Sequence, residues 1–215
     1  VNYVVIDQNG SHKKTQSIPF ESRSMMHECA ITKNYMLIFD LSVVFDLYKL
    51  GRGYFPFSWD DNHQSRIGLL DRNGDSDAVQ WFEIERTYFF HTFNAHEDSN
   101  GNVIVTAAAY GRLFDTDWNG PFTESPPQLT KWELNAKSGR ATSTKLDDRA
   151  VEFPRINPSL VGKFNQYAYA LASSNTSEPD FKEIVKYDLK NDTSEVYEYG
   201  NGKFGAEPVF VAAEG

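Results

Sequence analysis

Short runs of β-branched and aromatic residues, each closed by a turn signal, recur along this chain. Tyr3-Val4-Val5-Ile6-Asp7 leads into Gln8-Asn9-Gly10, and Arg66-Ile67-Gly68-Leu69-Leu70-Asp71 leads into Arg72-Asn73-Gly74. Leu129-Thr130-Lys131-Trp132-Glu133-Leu134 precedes Lys137-Ser138-Gly139, and Ile184-Val185-Lys186-Tyr187-Asp188-Leu189 precedes Lys190-Asn191-Asp192. A second β-forming stretch follows each turn, as in Thr193-Ser194-Glu195-Val196-Tyr197. β-rich runs joined by Asn-Gly, Ser-Gly or Asn-Asp predict hairpins, because these residues accept the positive φ angles of tight turns. Few segments carry a helical period. Successive turns lie 64, 65 and 53 residues apart. That spacing suits four-stranded blades with long loops, as in a β-propeller.

The hairpins set a phase. His27 follows Gly10 by 17 residues, and His91 follows Gly74 by the same 17. Glu152 follows Gly139 by 13, and Glu207 follows Asp192 by 15. Equal phase in a repeat means equal place in each structural unit. On this reading each residue opens the innermost strand of the next blade. Two histidines and two glutamates then surround one axis, where convergent imidazoles suit a metal ion. Irregular hairpins of any β protein also give such offsets by chance, so spacing alone leaves both readings open.

Composition narrows the class. The 40% hydrophobic and 14% aromatic content is enough for a packed core. The whole of 1–215 reads as one partial propeller domain, truncated at both ends. A strand starts almost at once after Val1, another begins just before Gly215, and hairpins with open edges would leave backbone groups unpaired. A net charge of −9 argues against a nucleic-acid partner, since phosphate binding needs a basic surface. No apolar run approaches the roughly 20 residues of a membrane-spanning helix. Cys29 is the single cysteine, which excludes an intrachain disulfide and leans towards a cytoplasmic location. Asn175-Thr176-Ser177 and Asn191-Asp192-Thr193 match the glycosylation triplet, a pattern common by chance.

Four motifs carry a resemblance to a known family. They are Met26-His27-Glu28-Cys29-Ala30-Ile31-Thr32 with Asn34-Tyr35, and Phe90-His91-Thr92-Phe93-Asn94-Ala95-His96-Glu97. The others are Glu152-Phe153-Pro154-Arg155-Ile156-Asn157 with Tyr167-Ala168-Tyr169-Ala170, and Gly205-Ala206-Glu207-Pro208-Val209-Phe210-Val211. In this order they resemble the carotenoid cleavage oxygenases, a family that includes stilbene-cleaving dioxygenases. Tyr3 to Ile18 and Trp59 to Glu85 also resemble microbial members. The resemblance implies a seven-bladed β-propeller with Fe(II) on its axis, of which this chain covers roughly the central blades. Four histidines hold the iron and three glutamates orient their rings. By that resemblance His27 and His91 are iron ligands, and Glu152 and Glu207 are their carboxylate partners. The other two histidines and one glutamate have no counterpart here and are expected outside Val1 to Gly215. His96 departs from the family pattern, which places an aromatic such as tyrosine there.

Neutral imidazoles suit Fe(II), and carboxylates that accept the far ring N–H fix their tautomer. The implied reaction is oxidative cleavage of a C=C bond by O2 into two carbonyls. The expected substrate is an apocarotenoid or carotenoid, with a stilbene as the alternative and retinoid-ester isomerisation as a distant third. A binding propeller with no catalysis is the reading from another class. Phe89, Phe90, Phe93, Phe153 and Phe210 flank the axial residues. Of these, Phe90, Phe93 and Phe153 are the tunnel candidates, against the plainer reading of core aromatics. The apolar, glycine-rich segment Tyr48 to Phe57 is either a peripheral membrane contact that collects substrate or a buried inter-blade loop. The Asp71 to Asp77 run lacks the closing glutamate of a calcium loop, since Phe82 stands at that place, and a hairpin explains it. His12 and His63 are expected in solvated turns or loops.

Overall fold

The computed structural model describes residues 1–20, 23–74, 78–118, 120, 124–173 and 180–213. The glycosylation triplet at Asn175 and the end of the Asp71 to Asp77 run fall outside the described residues.

Turn chemistry places the hairpins where the sequence predicts them. β1 (Asn2–Ile6) and β2 (His12–Ser17) flank Gly10 at φ +79°. Asp7 closes that turn by accepting the backbone N–H groups of Asn9 and Ser11, each at 2.9 Å. β7 (Arg66–Asp71) pairs with β8 (Val79–Glu83), and after β7 Asp71 accepts the Asn73 N–H at 2.8 Å. Asn135 accepts the Ser138 N–H at 2.9 Å where β11 (Gln128–Asn135) meets β12 (Arg140–Lys145) at Gly139. Asp188 accepts the Lys190 and Asn191 N–H groups where β15 (Glu183–Asp188) meets β16 (Thr193–Glu198) at Asp192. Gly139 and Asp192 both take positive φ.

Each of the last three hairpins completes a four-stranded antiparallel meander. The first is β3 (Ala30–Ile31), β4 (Tyr35–Asp40), β7 and β8. The second is β9 (Thr92–Glu97), β10 (Val103–Ala109), β11 and β12. The third is β13 (Ala150–Arg155), β14 (Tyr167–Ser173), β15 and β16. Among the described residues β1 and β2 pair only with each other. The first strands of successive sheets touch, β3 against β9 and β9 against β13, so they form the inner ends of adjacent blades. The rim strand β16 is exposed throughout.

Apolar side chains fill the spaces between blades. Leu37, Phe39, Ile67, Leu69 and Phe82 of the first blade pack with Val103, Val105, Ala107, Trp132 and Leu134 of the second. The other face of the second blade supplies Phe93, Ala108 and Leu129, which meet Val151, Ala168, Ala170, Val185 and Tyr187 of the third. A blade covered on both faces needs apolar residues at both phases of its strands, which is why Val103 to Ala109 is almost continuously apolar.

One insertion breaks the meander. Between β4 and β7 lie β5 (Val43–Phe45), the single helical turn α1 (Leu47–Leu50) and β6 (Phe57–Trp59), with β5 paired to β6. Asp46 caps α1 by accepting from the N–H groups of Tyr48 and Lys49. The buried Lys49 ammonium ties the insertion to the second blade by donating to the carbonyls of Phe57 at 3.0 Å and Phe114 at 2.9 Å. Leu47, Tyr48, Leu50, Tyr54 and Phe55 are exposed, so this segment is not a buried inter-blade loop.

Candidate metal centre

His27 lies on the extended lead into β3, and His91 immediately precedes β9. The His27 Nδ1 lies 3.0 Å from the Phe90 carbonyl. A carbonyl can only accept, so Nδ1 carries a proton, and in the neutral ring Nε2 keeps its lone pair. The His91 Nδ1 lies 2.8 Å from the Glu152 Oε2, which sets the same tautomer beside a carboxylate. The two rings are 5.1 Å apart between centroids and mutually perpendicular. Among the described residues neither Nε2 has a hydrogen-bond partner, and no group of three or more His, Cys, Asp or Glu side chains forms a metal cluster. The chain thus brings together two imidazoles whose free lone pairs suit a borderline cation such as Fe(II).

A local irregularity delivers Glu152 to His91. The pairing of β13 with β14 shifts register between Glu152 and Arg155, and Phe153 adopts φ +53°. Bulges re-aim side chains in this way. Here the bulge lets Oε2 accept the Phe153 N–H at 2.7 Å while it faces His91. Oε1 accepts the Tyr110 hydroxyl at 3.0 Å. Glu152 is 2% exposed, and among the described residues its carboxylate is held by His91, Tyr110 and the Phe153 N–H. Burial first, and then the Glu152 charge, push the Tyr110 phenol far above its ordinary range.

Glu28 fastens the two histidine segments together. Its Oε2 accepts the backbone N–H of Thr92, the residue after His91. Burial raises the Glu28 pKa against the lowering effect of that bond and of both imidazoles. Asn94 does a similar task further along β9. Its side-chain amide reaches the carbonyls of Leu160 and Lys163 and the side chain of Asn165, and its oxygen accepts the Gly162 N–H. Sequence reasoning missed Glu28, Asn94 and Tyr110. Glu28 had a local signal in its adjacency to His27; Tyr110 had none.

Glu207 occupies a different position from Glu152. It lies on a segment with no assigned strand, is about half exposed, and forms an ion pair with Arg155. The axial arrangement expected of two histidines and two glutamates is therefore assembled here from His27, His91 and Glu152. The aromatic candidates also separate. Phe90 sits edge-on to His27 at 5.3 Å, and Phe153 tilts against His91 at 5.5 Å. Phe93 is 4% exposed and packs edge-on to Tyr187 in the second core, though it also borders a groove of about 430 Å³. Glu28, Ala30, Thr92, Pro154 and Ile156 line the same groove.

The other histidines have local roles. His12 is exposed and meets the Thr15 hydroxyl at 2.7 Å. His63 pairs with the buried Asp40, which Arg66 holds from the other side. His63 is therefore tied into a structural cluster with Asp40 and Arg66 and is not freely solvated. His96 packs edge-on to Phe164 beside a separate inter-blade cleft, and burial lowers its pKa.

The family profile of RPE65, retinal pigment epithelial membrane protein, matches residues 1–215. The chain belongs to the RPE65/carotenoid cleavage oxygenase family. Among relatives in this family, a carotenoid cleavage oxygenase of Mycobacterium tuberculosis is 32% identical over 213 residues, covering 80% of this chain and 42% of that protein. A carotenoid 9,10(9',10')-cleavage dioxygenase of Crocus sativus is 30% identical over 236 residues, covering the whole chain and 42% of that protein. The chain thus spans less than half the length of these curated family relatives. Cobalt-substituted Synechocystis ACO has a TM-score of 0.84 at 22% identity, covering 97% of this chain and 45% of that one. An ACO/RPE65 chimera gives 0.84 at 22%, covering 98% and 46%. These structures share the family's all-β propeller architecture with this chain.

Proposed function

We propose that the intact protein is a non-haem Fe(II) dioxygenase that cleaves a C=C bond of a carotenoid or apocarotenoid. The observation that carries this reading is the pair of perpendicular imidazoles, each held through Nδ1 with a free Nε2. His27 and His91 are the proposed ligands. Glu152 orients His91, and the Phe90 carbonyl orients His27. Glu207 is proposed to hold a further imidazole, one supplied from outside these 215 residues. The carotenoid-cleaving relatives favour a carotenoid-type substrate over a stilbene.

When bound, ferrous iron supplies the activation of dioxygen. The overall reaction places one oxygen atom on each alkene carbon and yields two carbonyls, with no further reductant. The protein's share is placement and exclusion of water. Phe90 and Phe153 present apolar surface beside the two imidazoles and suit a conjugated chain laid across them. The buried Glu152 carboxylate accepts the His91 Nδ1–H, which makes that ring a stronger donor.

The exposed apolar residues of α1 and the loop after it, Leu47, Tyr48, Leu50, Tyr54 and Phe55, are proposed as a peripheral membrane contact. An apolar polyene partitions into lipid, so an enzyme that collects it gains from touching the bilayer. Among the described residues no helix is long and apolar enough to cross a membrane.

The test is alanine substitution of His27 and of His91 in the intact protein, with iron content and aldehyde products measured together. Both variants are expected to lose iron and cleavage. Iron and activity that survive His91→Ala would sink the assignment. An iron-free, well-folded wild type that binds a carotenoid without cleaving it would favour the non-catalytic propeller.

A further inference from the structure

We propose that Tyr110 is a positioning residue for the metal centre, acting on His91 through Glu152. This inference rests on the reading of His91 as a ligand. Tyr110 lies just past the end of β10 and is fully buried. Its backbone is fixed on both sides. The Tyr110 N–H donates to the Tyr88 carbonyl at 2.7 Å, and the Tyr88 N–H donates to the Tyr110 carbonyl at 3.1 Å. That double bridge aims the phenol at Glu152.

The carboxylate of Glu152 has two oxygens with separate duties. Oε2 faces the His91 Nδ1 and accepts the Phe153 N–H. Oε1 accepts from the Tyr110 hydroxyl. The terminal torsion of a glutamate is broad, so one engaged oxygen leaves the carboxylate plane poorly defined. Holding the second oxygen fixes the plane, and with it the direction in which the imidazole N–H must point. The order of action is phenol, carboxylate, imidazole. The Tyr110 ring packs edge-on against Phe90 at 5.7 Å, a contact that Tyr110→Phe keeps, while its hydroxyl reaches His91 through Glu152.

Tyr88 is the control built into the fold. It is the same residue type, equally buried, in the same backbone bridge, and close enough to Glu152 to feel its charge. Yet among the described residues its buried hydroxyl has no hydrogen-bond partner. Removing the Tyr88 hydroxyl therefore makes the same chemical change without disturbing Glu152.

The experiment uses the intact iron-loaded protein and five variants: Tyr110→Phe, Tyr88→Phe, Glu152→Gln, the Tyr110→Phe/Glu152→Gln pair, and His91→Ala. It measures the rate of iron release to a chelator, kcat and KM separately, and the melting temperature. Tyr110→Phe is expected to release iron about tenfold faster, the low end for loss of an outer partner of a metal-binding histidine. It should lower kcat and leave KM unchanged. Tyr88→Phe should match the wild type in iron release. Adding Tyr110→Phe to Glu152→Gln should change nothing further, because both act through one carboxylate. The proposal is overturned if Tyr110→Phe releases iron at the wild-type rate. It is also overturned if the two phenylalanine variants lose iron equally, or if the double variant multiplies the single losses. If His91→Ala keeps its iron, the ligand reading itself fails. If His91→Ala loses iron while Tyr110→Phe behaves as wild type, only the Tyr110 proposal fails.

Discussion

The two histidines reach one tautomer by different means. His27 gives its Nδ1 proton to a backbone carbonyl, and His91 gives its own to a buried carboxylate. The carbonyl of Phe90 is neutral and survives any side-chain change, whereas the partner of His91 can be edited. Glu152→Gln keeps the shape of the site and removes the charge. It is expected to weaken iron binding or activity about 10–100-fold, as read by chelator titration of the intact protein. A titration indistinguishable from wild type would remove Glu152 from the centre. At this scale the repeat phase singled out His27, His91, Glu152 and Glu207, and the structure brings the first three together while Glu207 pairs with Arg155. The sequence was silent on Tyr110, because nothing in Val103 to Ala109 says which carboxylate will lie opposite the end of that strand.

Elements hold those residues in place by contacts that cross between blades. Glu97 at the end of β9 accepts from the Thr32 hydroxyl at 2.5 Å and from the Asn34 backbone and side-chain N–H groups at 2.8 and 2.6 Å. These bonds fasten the second blade to the β3–β4 turn of the first. Burial pushes the Glu97 carboxyl up, but the Thr32 and Asn34 donors outweigh it and hold the group below its ordinary value. A depressed carboxyl stabilises the fold above its unfolded pKa, about 4.3, and that contribution is lost as pH falls through the folded value. The melting-temperature gap between wild type and Glu97→Gln is therefore expected to be widest near neutrality and to close on acidification below about pH 4. A gap that stays constant from pH 7 to pH 3 would mean the clamp does not depend on ionised Glu97. The hairpins were readable in advance because Asx turns and glycines are local signals. The innermost strands were harder. β3 spans only Ala30–Ile31, and the segment around Glu207 carries no strand, because these stretches are shaped by neighbouring blades.

Across the whole molecule, three blades place the proposed metal centre at their inner ends, while the insertion between β4 and β7 carries the exposed apolar residues. If that patch collects substrate from lipid, Tyr54→Asp with Phe55→Asp should lower co-flotation of the intact protein with phosphatidylcholine vesicles. Cleavage of a detergent-solubilised substrate should stay near the wild-type rate. Unchanged flotation would end the membrane proposal. The sequence by itself determined the strand-and-turn pattern and the blade spacing. Each of these depends on contacts within a few tens of residues and on backbone preferences that travel with the residue type. Only the tertiary structure decided which partner each site residue meets. It gave Glu152 to His91, gave Arg155 to Glu207, buried Phe93 against Tyr187 and left Tyr54 and Phe55 in solvent. Those outcomes follow from how one blade stacks on the next, and that geometry is written in no single segment of the chain.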